Sequence, residues 1–518
     1  MELISPLIYY ITFSGPNKGP DSFPVSVNPY YLSHMNKELL LQQFTAAYEK
    51  LNPQQQHAVN TIEGPVMVIA GPGTGKTQIL ASRIGKILLD TDAMPDNILC
   101  LTYTDAGVVA MRKRLQQFIG PDAYKVNIYT FHAFCNDVIQ ENLSLFEKTS
   151  MDPISDLEKV ELFKELIDSF DKTNPLKRYR GDVYYEVQNL QSLFSNMKRE
   201  GWTPAFINEK IDAYLADLPN RDEFVYKRKF KEFNVGDLKQ NKIDEEQEKM
   251  NKLRAAVNEF DRFQLLMRNR NRYDFDDMIN WVIKAFEENT NLLMNYQERF
   301  QYILVDEYQD TSGTQNRLVE LLINYWDQPN VFVVGDDDQS IYRFQGANVE
   351  NMLHFANSYS DSLERVILTN NYRSTQPILD VSKTLIDKNE ERLVKSMGNL
   401  SKELIASNTN INGLLHPPVI TEYLSQQQEM MGIAKQIEAL INNEKVSPGR
   451  IGIIYKENKY GEEIAKYLQQ LQVPVYSKRH LNLFDVPLAQ QLILFLKYLE
   501  AEHDTSYGGD EMLFEILH

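Results

Sequence analysis

Two neighbouring carboxylates end an apolar segment, Tyr302-Ile-Leu-Val-Asp306-Glu307. Adjacent acids at the tip of a buried strand are costly unless a cation and a proton transfer require them. The pattern therefore indicates that Asp306 holds Mg²⁺ and that Glu307 orients and deprotonates a water molecule. Taken alone, the same residues could also form a capped strand-to-helix turn.

A phosphate-binding pattern elsewhere in the chain favours the catalytic interpretation. An apolar segment that predicts a strand, Val66–Ala70, is followed by a glycine-rich turn and then by a helical pattern. This is the context that a phosphate loop requires, because backbone N–H groups and a helix N-terminus bind phosphate. Lys76 would bridge the terminal phosphates of ATP, and the Thr77 hydroxyl would ligate Mg²⁺. The predicted nucleotide-binding residues of the loop are Ala70, Gly71, Pro72, Gly73, Thr74, Gly75, Lys76 and Thr77.

The composition is that of a globular protein with several domains. The chain has 518 residues, of which 43% are hydrophobic and 24% are charged. The sequence shows no apolar run long enough to span a membrane, and its first residues lack the basic region of a signal peptide. Two cysteines, Cys100 and Cys135, argue against a disulfide framework or a cysteine-rich metal site. Together these features predict a cytoplasmic protein.

The acidic balance limits how the chain could bind nucleic acid. A formal charge of −18 and a pI near 5.1 argue against a basic surface over the whole chain, so DNA would have to use local patches. Each candidate patch, taken alone, is more typical of a solvated face than of a phosphate contact. The candidates are Arg112-Lys113-Arg114, Lys177-Arg178 with Arg180, Lys198-Arg199, Lys227-Arg228-Lys229, and Arg268, Arg270 and Arg272.

The elements that must position these residues divide the chain into parts. Residues 1–34 predict an irregular N-terminal extension. Strand and helix patterns alternate over 35–140 and 273–367, which predicts one discontinuous parallel α/β domain, and 141–272 predict an inserted helical domain. Residues 368–518 begin a second α/β unit, and they end in a helical stretch without a stop signal, so we expect a truncated domain. The predicted strands are Val66–Ala70, Ile98–Thr102, Val126–Thr130, Tyr302–Asp306, Val331–Gly335, Val419–Tyr423 and Ile451–Tyr455.

Further segments accompany the loop and the acidic strand in a fixed order. The segments are Leu51-Asn-Pro-Gln-Gln55, Leu101-Thr-Tyr103-Thr104-Asp105, Thr130-Phe-His132, Asp274-Phe-Asp-Asp277, Gly335-Asp-Asp-Asp-Gln339-Ser-Ile-Tyr342-Arg-Phe344-Gln345 and Asn370-Asn-Tyr372-Arg373. Asp274 and Asp277 in one of them are predicted to be helix caps rather than metal ligands. In this order the segments resemble the UvrD/Rep/PcrA group of superfamily 1 DNA helicases, from about residue 40 to the C-terminus.

The resemblance implies an ATP-binding P-loop NTPase with a RecA-like core and a partial second RecA-like domain. It implies that Gln55 reads the adenine edge, that Tyr372 stacks on adenine, and that Arg373 reaches the γ-phosphate. A plain polar residue at a helix start is the alternative for Gln55. The resemblance assigns to Gln339 the sensing of the γ-phosphate, although the three aspartates before it could suggest a second metal.

The resemblance also implies an ATP-dependent translocase that moves 3′→5′ on single-stranded DNA and acts at junctions with duplex DNA. Aromatic residues are the expected base contacts, because stacking tolerates any sequence, while core packing is their alternative role. The residues at the family's DNA-contacting positions are Tyr103, Thr104, His132, Tyr342 and Phe344.

Several residues differ from those that are usual in the family that the chain resembles. Gln345 stands where an arginine is usual, Gln78 and Asp105 replace a common Arg and Asn, and Phe344 replaces the more frequent Trp. No Thr-x-His-x-x-Lys-Gly segment or following arginine motif occurs in the sequence. We therefore expect the chain alone to bind ATP and Mg²⁺ but to hydrolyse ATP slowly and not to unwind DNA. Two alternatives stay open, the motor subunit of a helicase–nuclease complex and a non-motor, ATP-gated DNA-binding module.

Overall fold

A computed structural model describes residues 41–146, 151–229, 233–340, 349–389, 392–393, 401–477, 486–505 and 507–517. The predicted extension 1–34 lies outside these residues, as do Tyr342, Phe344 and Gln345. The chain forms two compact units, which divide between Pro418 and Val419. The two units are therefore described separately.

Six parallel strands form the central sheet of the first unit, in the order β3-β2-β6-β7-β1-β8. The predicted α/β class with a parallel sheet is thus confirmed. A two-residue ladder joins β4 to β5 and another joins β9 to β10. In chain order the strands are β1 (Val66–Ala70), β2 (Ile98–Thr102), β3 (Asn127–Thr130), β4 (Asp152–Pro153), β5 (Arg272–Tyr273), β6 (Tyr302–Val305), β7 (Val331–Gly335), β8 (Glu364–Leu368), β9 (Asn370–Asn371) and β10 (Ile405–Ala406).

Helices pack on both faces of this sheet. Successive strand residues point to opposite faces, so Met67 and Ile69 enter one hydrophobic core while Val66 and Val68 enter the other. The helices of the first unit, in chain order, are α1 (Pro53–Asn60), α2 (Lys76–Asp90), α3 (Asp105–Ile119), α4 (Phe131–Glu141), α5 (Leu143–Phe146), α6 (Asp156–Asp168), α7 (Val187–Glu200), α8 (Pro204–Asp217), α9 (Gln240–Asn258), α10 (Phe260–Asn269), α11 (Phe275–Glu288), α12 (Thr290–Arg299), α13 (Gly313–Ile323), α14 (Val349–Ser358) and α15 (Gln376–Ile386). Residues 41–48 are also helical.

Helices α6 to α10 lie between β3 and β6 in the chain and have a hydrophobic core of their own. Phe163, Phe194 and Phe263 are buried at its centre, and the rings of Phe163 and Phe263 stack with centroids 4.3 Å apart. The short ladder of β4 with β5 joins the two ends of this helical segment. The sheet strands before and after the segment can therefore be neighbours in space.

In the second unit, the helices over 426–442 and 458–470 pack on a small core that includes Ala434, Ile437 and Leu468. The strands predicted at Val419–Tyr423 and Ile451–Tyr455 are wrong, because neither segment is a strand. Their apolar side chains are exposed, Ile420 by 91% and Ile454 by 100%, and no neighbouring strand pairs with them among the described residues. An apolar run without a pairing partner does not form a sheet. The helices are α16 (Gln426–Asn442), α17 (Asn458–Gln470), α18 (Pro487–Asp504) and α19 (Asp510–Leu517).

Because the six strands of the central sheet are parallel, the residues that follow them meet at one edge. The glycine-rich loop follows β1, Tyr103 and Thr104 follow β2, and His132 begins the helix after β3. The Asp306–Glu307 pair follows β6. Gln339 comes shortly after β7, and Tyr372 follows β9, the short strand after β8. Across the described residues, no helix is both long enough and apolar enough to cross a membrane.

Candidate active site

The loop after β1 has the conformation that phosphate binding needs. Gly73 and Gly75 have φ values of +71° and +92°, in the left-handed region that glycine adopts readily. A Cβ added to Gly73 would also lie 2.5 Å from the Cβ of Arg373. The buried Thr74 hydroxyl donates a 2.7 Å hydrogen bond to the Gly71 carbonyl, and α2 begins at Lys76. The structure thus confirms the strand, loop and helix predicted for this segment.

An ion pair joins the loop to the acidic strand. Lys76 Nζ lies 2.5 Å from Glu307 Oε2, and the two side chains are 12% and 34% exposed. Glu307 has a φ of +48°, a left-handed conformation that costs a residue with a side chain about 1–3 kcal/mol. This turn directs the Glu307 carboxylate toward the phosphate loop. The predicted base and the predicted phosphate-binding lysine are therefore in direct contact.

Asp306 is a buried carboxylate beside this pair. Its backbone N–H donates to the Leu101 carbonyl at 2.9 Å, and its Oδ1 accepts the Glu307 N–H at 3.0 Å. Burial and the neighbouring Glu307 carboxylate together raise the pKa of Asp306 to about 6, although Lys76 and the hydrogen bond from the Glu307 N–H lower it in part. Thr77 lies in the first turn of α2, and its hydroxyl has no partner among the described residues. A carboxylate and a hydroxyl oxygen suit Mg²⁺, so these two residues fit the predicted metal role.

Gln309 connects the acidic strand to the neighbouring strand β7. Its side chain is 1% exposed, and its Nε2 donates to Glu307 Oε2 at 2.9 Å and to Asp310 Oδ2 at 3.2 Å. Its Oε1 accepts the Asp336 N–H at 2.8 Å. The resemblance places Gln309 in the family's helicase signature, but its bonds to Glu307 and Asp336 are visible only in the structure.

Gln339 and the three aspartates before it form a second buried group. Gln339 Nε2 donates to Asp336 Oδ2 at 2.5 Å, so the predicted sensor is anchored to the residue that contacts Gln309. Lys402 Nζ binds Asp336, and it lies 2.7 Å from Asp337 Oδ1 and 3.0 Å from Asp338 Oδ2. An ammonium group thus occupies the place where a second metal could have been suspected. Lys402 is far away in the sequence, so no spacing pattern could have revealed it.

The predicted adenine side of the site is built from α1 and the Asn370–Arg373 segment. Asn52 and Gln55 form a capping box at the start of α1, and Gln55 Nε2 also donates to the Thr74 carbonyl at 2.8 Å. Gln55 therefore has the role of a polar residue at a helix start. Its side-chain amide still has one N–H and one lone pair with which to bind a ligand. Asn52 Nδ2 donates to the Tyr372 hydroxyl at 2.9 Å.

A cavity of about 680 Å³ opens next to these residues. Its volume lies in the range of small-molecule sites. Tyr372 presents a half-buried aromatic ring to it, so a planar base could be accommodated there. The cavity is lined by Gln43, Ala46, Ala47, Lys50, Leu51, Gln55, Gly75, Gln78, Arg114, Gln117, Phe118 and Tyr372.

Asn371 fastens the Tyr372 segment to the phosphate loop. Its Nδ2 donates to the Pro72 carbonyl at 2.5 Å, and its Oδ1 accepts the Arg373 N–H at 2.9 Å. The Tyr372 N–H donates to the Gly73 carbonyl at 2.9 Å. These bonds hold Arg373 beside the loop, where its exposed side chain has no ion-pair partner within the described residues. Asn371 belongs to one of the family-like segments, but its position in the sequence does not predict these bonds.

The described residues predicted to contact DNA lie at the same edge of the sheet. Tyr103 is 40% exposed. Thr104 caps α3 by accepting the Gly107 N–H at 3.1 Å, so it has a structural role whatever else it contacts. His132 packs against Phe275, and its Nε2 lies 3.8 Å from Asp276 Oδ1. These positions are compatible with a shared binding surface.

Several of the basic patches are committed to contacts within the protein. Lys198 is 2% exposed and lies 2.8 Å from both Asp274 and Asp277. These two aspartates form the capping box of α11, which confirms the predicted helix caps. Arg270 pairs with Glu165, and Arg272 pairs with Glu158 and Asp152. These three basic residues therefore serve the helical segment rather than forming an open basic face.

Comparison with known proteins identifies relatives with similar sequences. The chain is 28% identical over 468 residues to the ATP-dependent DNA helicase PcrA of Staphylococcus aureus strain Mu50, covering 89% of this chain and 55% of that protein. It is 30% identical over 409 residues to DNA helicase II of Rickettsia typhi, covering 78% and 53%. The chain spans about half the length of the curated relatives it matches.

Two family models match successive parts of the chain. The UvrD-like helicase C-terminal domain matches residues 366–507. This match overturns the expectation that the chain is truncated inside its second domain. The UvrD/REP helicase N-terminal domain matches residues 51–360, which is more than half of the chain and contains the phosphate loop and the acidic strand. The chain therefore belongs to the UvrD/REP helicase family.

Proposed function

We propose that the chain is an ATP-dependent DNA helicase motor that binds Mg²⁺-ATP and moves 3′→5′ along single-stranded DNA. The observation that carries this proposal is the ion pair between Lys76 and Glu307, since it joins a phosphate-binding residue to a candidate base. The similarity to proteins named DNA helicases supports the DNA substrate. Junctions of single-stranded with duplex DNA are the proposed sites of action.

The chemistry would be an in-line attack of water on the γ-phosphate. On nucleotide binding, the Lys76 ammonium would turn from Glu307 to the phosphates, leaving the carboxylate free to accept a proton from the attacking water. Arg373, held beside the loop by Asn371, would neutralise charge on the γ-phosphate. Positioning and charge neutralisation supply most of the rate in such reactions. Gln339 would respond to the γ-phosphate through its contact with Asp336.

Thr77 and Asp306 would hold Mg²⁺, which would supply positive charge to the phosphate oxygens. The raised pKa of Asp306 supports this assignment, because a nearby cation would offset the cost of a buried negative charge. At the adenine, Tyr372 would stack on the ring, and Gln55 would form hydrogen bonds to its edge with the remaining N–H and lone pair. The phosphates would contact the loop residues from Ala70 to Thr77.

The DNA path would cross the edge of the sheet where β2 and β3 end. Tyr103 would stack on a base, while Thr104 and His132 would contact the strand nearby. Tyr342 and Phe344 complete the proposed set of contacts from outside the described residues. Stacking on aromatic rings suits a motor because every base offers a π-face.

We further propose that this 518-residue chain by itself hydrolyses ATP slowly and does not unwind duplex DNA. The support is in the sequence, which contains no Thr-x-His-x-x-Lys-Gly segment. An arginine supplied across the nucleotide cleft is worth roughly 10³–10⁵ in rate. ATP turnover and strand separation at the level of an unwinding helicase would contradict this proposal.

The decisive experiment compares the wild-type chain with Glu307→Gln. We expect hydrolysis, measured with and without single-stranded DNA, to fall by about 10²–10⁴-fold because the base is lost. ATP binding, followed with a fluorescent ATP analogue, should be retained or tightened because Lys76 loses its competing carboxylate. Chelation of Mg²⁺ should abolish hydrolysis by the wild type.

Glu287→Gln is the matched control, because Glu287 forms only an exposed ion pair with Arg317. It should hydrolyse ATP at the wild-type rate. A Glu307→Gln variant that hydrolyses as fast as the wild type would overturn the proposed base. ATP binding with no hydrolysis by the wild type, with or without DNA, would favour the ATP-gated binding module instead.

A further inference from the structure

Three consecutive carboxylates after β7 surround one buried ammonium group. The Lys402 side chain is 2% exposed, and its Nζ contacts Asp336, Asp337 at 2.7 Å and Asp338 at 3.0 Å. Burial lowers the pKa of Lys402, but the three carboxylates outweigh burial, so the pKa lies above its usual value. Lys402 is therefore a charged residue, and it is the one cation that contacts Asp336 within the described part of the chain.

The other two carboxylates have additional partners. Arg392 binds Asp338 with two hydrogen bonds, of 2.6 and 2.8 Å, and Asp337 Oδ2 accepts the Leu393 N–H at 2.8 Å. The Asp336 carboxylate accepts two further hydrogen bonds, from Gln339 Nε2 and from the Asp338 N–H at 3.3 Å. Among the described residues, loss of the Lys402 ammonium would thus leave Asp336 and Asp337 without a cation, while Asp338 would keep Arg392.

A short chain of contacts leads from Lys402 to the proposed base. Asp336 binds Gln339 through its carboxylate, and its backbone N–H donates to Gln309 at 2.8 Å. Gln309 in turn donates to Glu307 at 2.9 Å. The position of Asp336 therefore bears on both the proposed sensor and the proposed base.

The residues after Lys402 cross the nucleotide site. The Leu404 side chain lies over the phosphate loop, so a Cβ added to Gly71 would be 2.9 Å from it. Strand β10 pairs with β9, and Asn408 Nδ2 donates to the Tyr372 carbonyl at 3.0 Å. One short segment thus contacts the phosphate loop, the segment after β7 and the proposed adenine-stacking residue.

We propose that Lys402 is a positioning residue for ATP hydrolysis, which fixes Asp336 and through it the side chains of Gln339 and Gln309. This inference rests on the proposed function for its catalytic consequence. Without the ammonium, Asp336 loses the one cation that contacts it among the described residues and is no longer fixed in place. Gln339 and Glu307 then lose their alignment, while the phosphate loop and the adenine cavity keep theirs.

The test is Lys402→Met in the full chain, assayed by single-turnover ATP hydrolysis and by nucleotide binding. Hydrolysis should fall by about 10²-fold, the usual cost of a small misplacement of reacting groups, while the Kd for ATP stays unchanged. Lys383→Met is the matched control, since Lys383 forms an exposed ion pair with Glu403, the residue next to Lys402. It should hydrolyse at the wild-type rate.

A double variant, Lys402→Met with Asp337→Asn, separates positioning from simple stability. It removes one buried negative charge without changing Asp336, so the melting temperature should recover while hydrolysis stays low. Recovery of hydrolysis together with the melting temperature would overturn the proposal, as would wild-type hydrolysis by Lys402→Met alone.

Hydrogen exchange gives a readout that does not depend on ATPase activity. The Gln339 N–H is bonded to the Asp336 carbonyl at 2.9 Å, so its protection should fall in Lys402→Met and not in Lys383→Met. Unchanged protection would overturn the positioning role. If the wild type does not hydrolyse ATP and Lys402→Met still loses protection, the proposed function fails while the positioning role stands.

Discussion

At the scale of single residues, the contact between Lys76 and Glu307 would set the order of events in the proposed site. The same carboxylate cannot hold the lysine and accept a proton from water with full basicity. Nucleotide phosphates would draw Lys76 away, so binding itself would release the base. Gln309 also donates to the Glu307 carboxylate at 2.9 Å, so this carboxylate would keep one hydrogen bond during the exchange.

The proposed stacking role of Tyr103 leads to a prediction at this scale. Tyr103→Ala should weaken binding of single-stranded DNA by about 1–3 kcal/mol, the cost of losing one stacked base, and Tyr103→Phe should leave binding unchanged. Fluorescence anisotropy with a labelled oligonucleotide measures both. Tyr325→Ala is the control, since Tyr325 is 46% exposed and lies beyond α13 at the opposite edge of the sheet. Equal binding by Tyr103→Ala and the control would count against stacking.

The residues of the proposed site differ in whether the sequence alone could predict them. The places of Asp306, Glu307, Lys76 and Thr77 after β6 and β1 could be predicted from their immediate sequence neighbours, while their chemical roles stay predictions. Lys402 could not, because only the fold brings it to the aspartates. Gln55 shows an intermediate case, since its helix-start role and its place next to the loop were both predictable but its bond to Thr74 was not.

At the scale of elements, the junction between α7 and α11 depends on one buried lysine. Lys198, near the end of α7, binds both aspartates of the capping box that begins α11. The helical segment is thereby tied to a helix of the central domain. Removal of the lysine would leave Asp277 buried without a cation among the described residues, and Asp274 with only Lys159, 3.6 Å away.

Lys198→Met should therefore lower the free energy of unfolding by about 3–5 kcal/mol, the usual cost of breaking a buried ion pair. Chemical denaturation monitored by circular dichroism measures this change. Arg317→Met is the control and should cost less than about 1 kcal/mol, because its pair with Glu287 is exposed. A loss in Lys198→Met no larger than in the control would contradict the proposed tie.

The predicted strands are confirmed where a neighbouring strand pairs with the segment, and they are wrong where no described strand does. The five strands predicted before residue 340 all form, with Val126 excluded from β3 and Asp306 from β6. Their buried neighbours complete the backbone hydrogen bonds that an apolar run requires. The predicted strands at 419–423 and 451–455 have the same apolar character but no neighbouring strand, and the sequence gives no sign of that difference.

At the scale of the whole molecule, the division between Pro418 and Val419 lies in an exposed segment. Residues 414–423 have no helix or strand, and Leu415 and Ile420 are 75% and 91% exposed. Backbone without secondary structure and with exposed apolar side chains fits readily into a protease.

Limited digestion with chymotrypsin should therefore cut first between residues 414 and 424, giving two fragments that mass spectrometry can assign. Leu488 and Leu492 provide an internal control, because they are 66% and 57% exposed but belong to helix α18. An initial cut in α18 would contradict the assignment of the boundary to the exposed segment.

The position of β1 in the sheet has a consequence for how the protein is made. This strand, which leads into the phosphate loop, is the first of the six to be synthesised, yet it pairs with β7 and β8, which are synthesised last. One edge of β1 therefore lacks its partner until residue 335 has been added, and the other until residue 368. Unpaired strand edges are prone to aggregation, so β1 depends on protection during this interval.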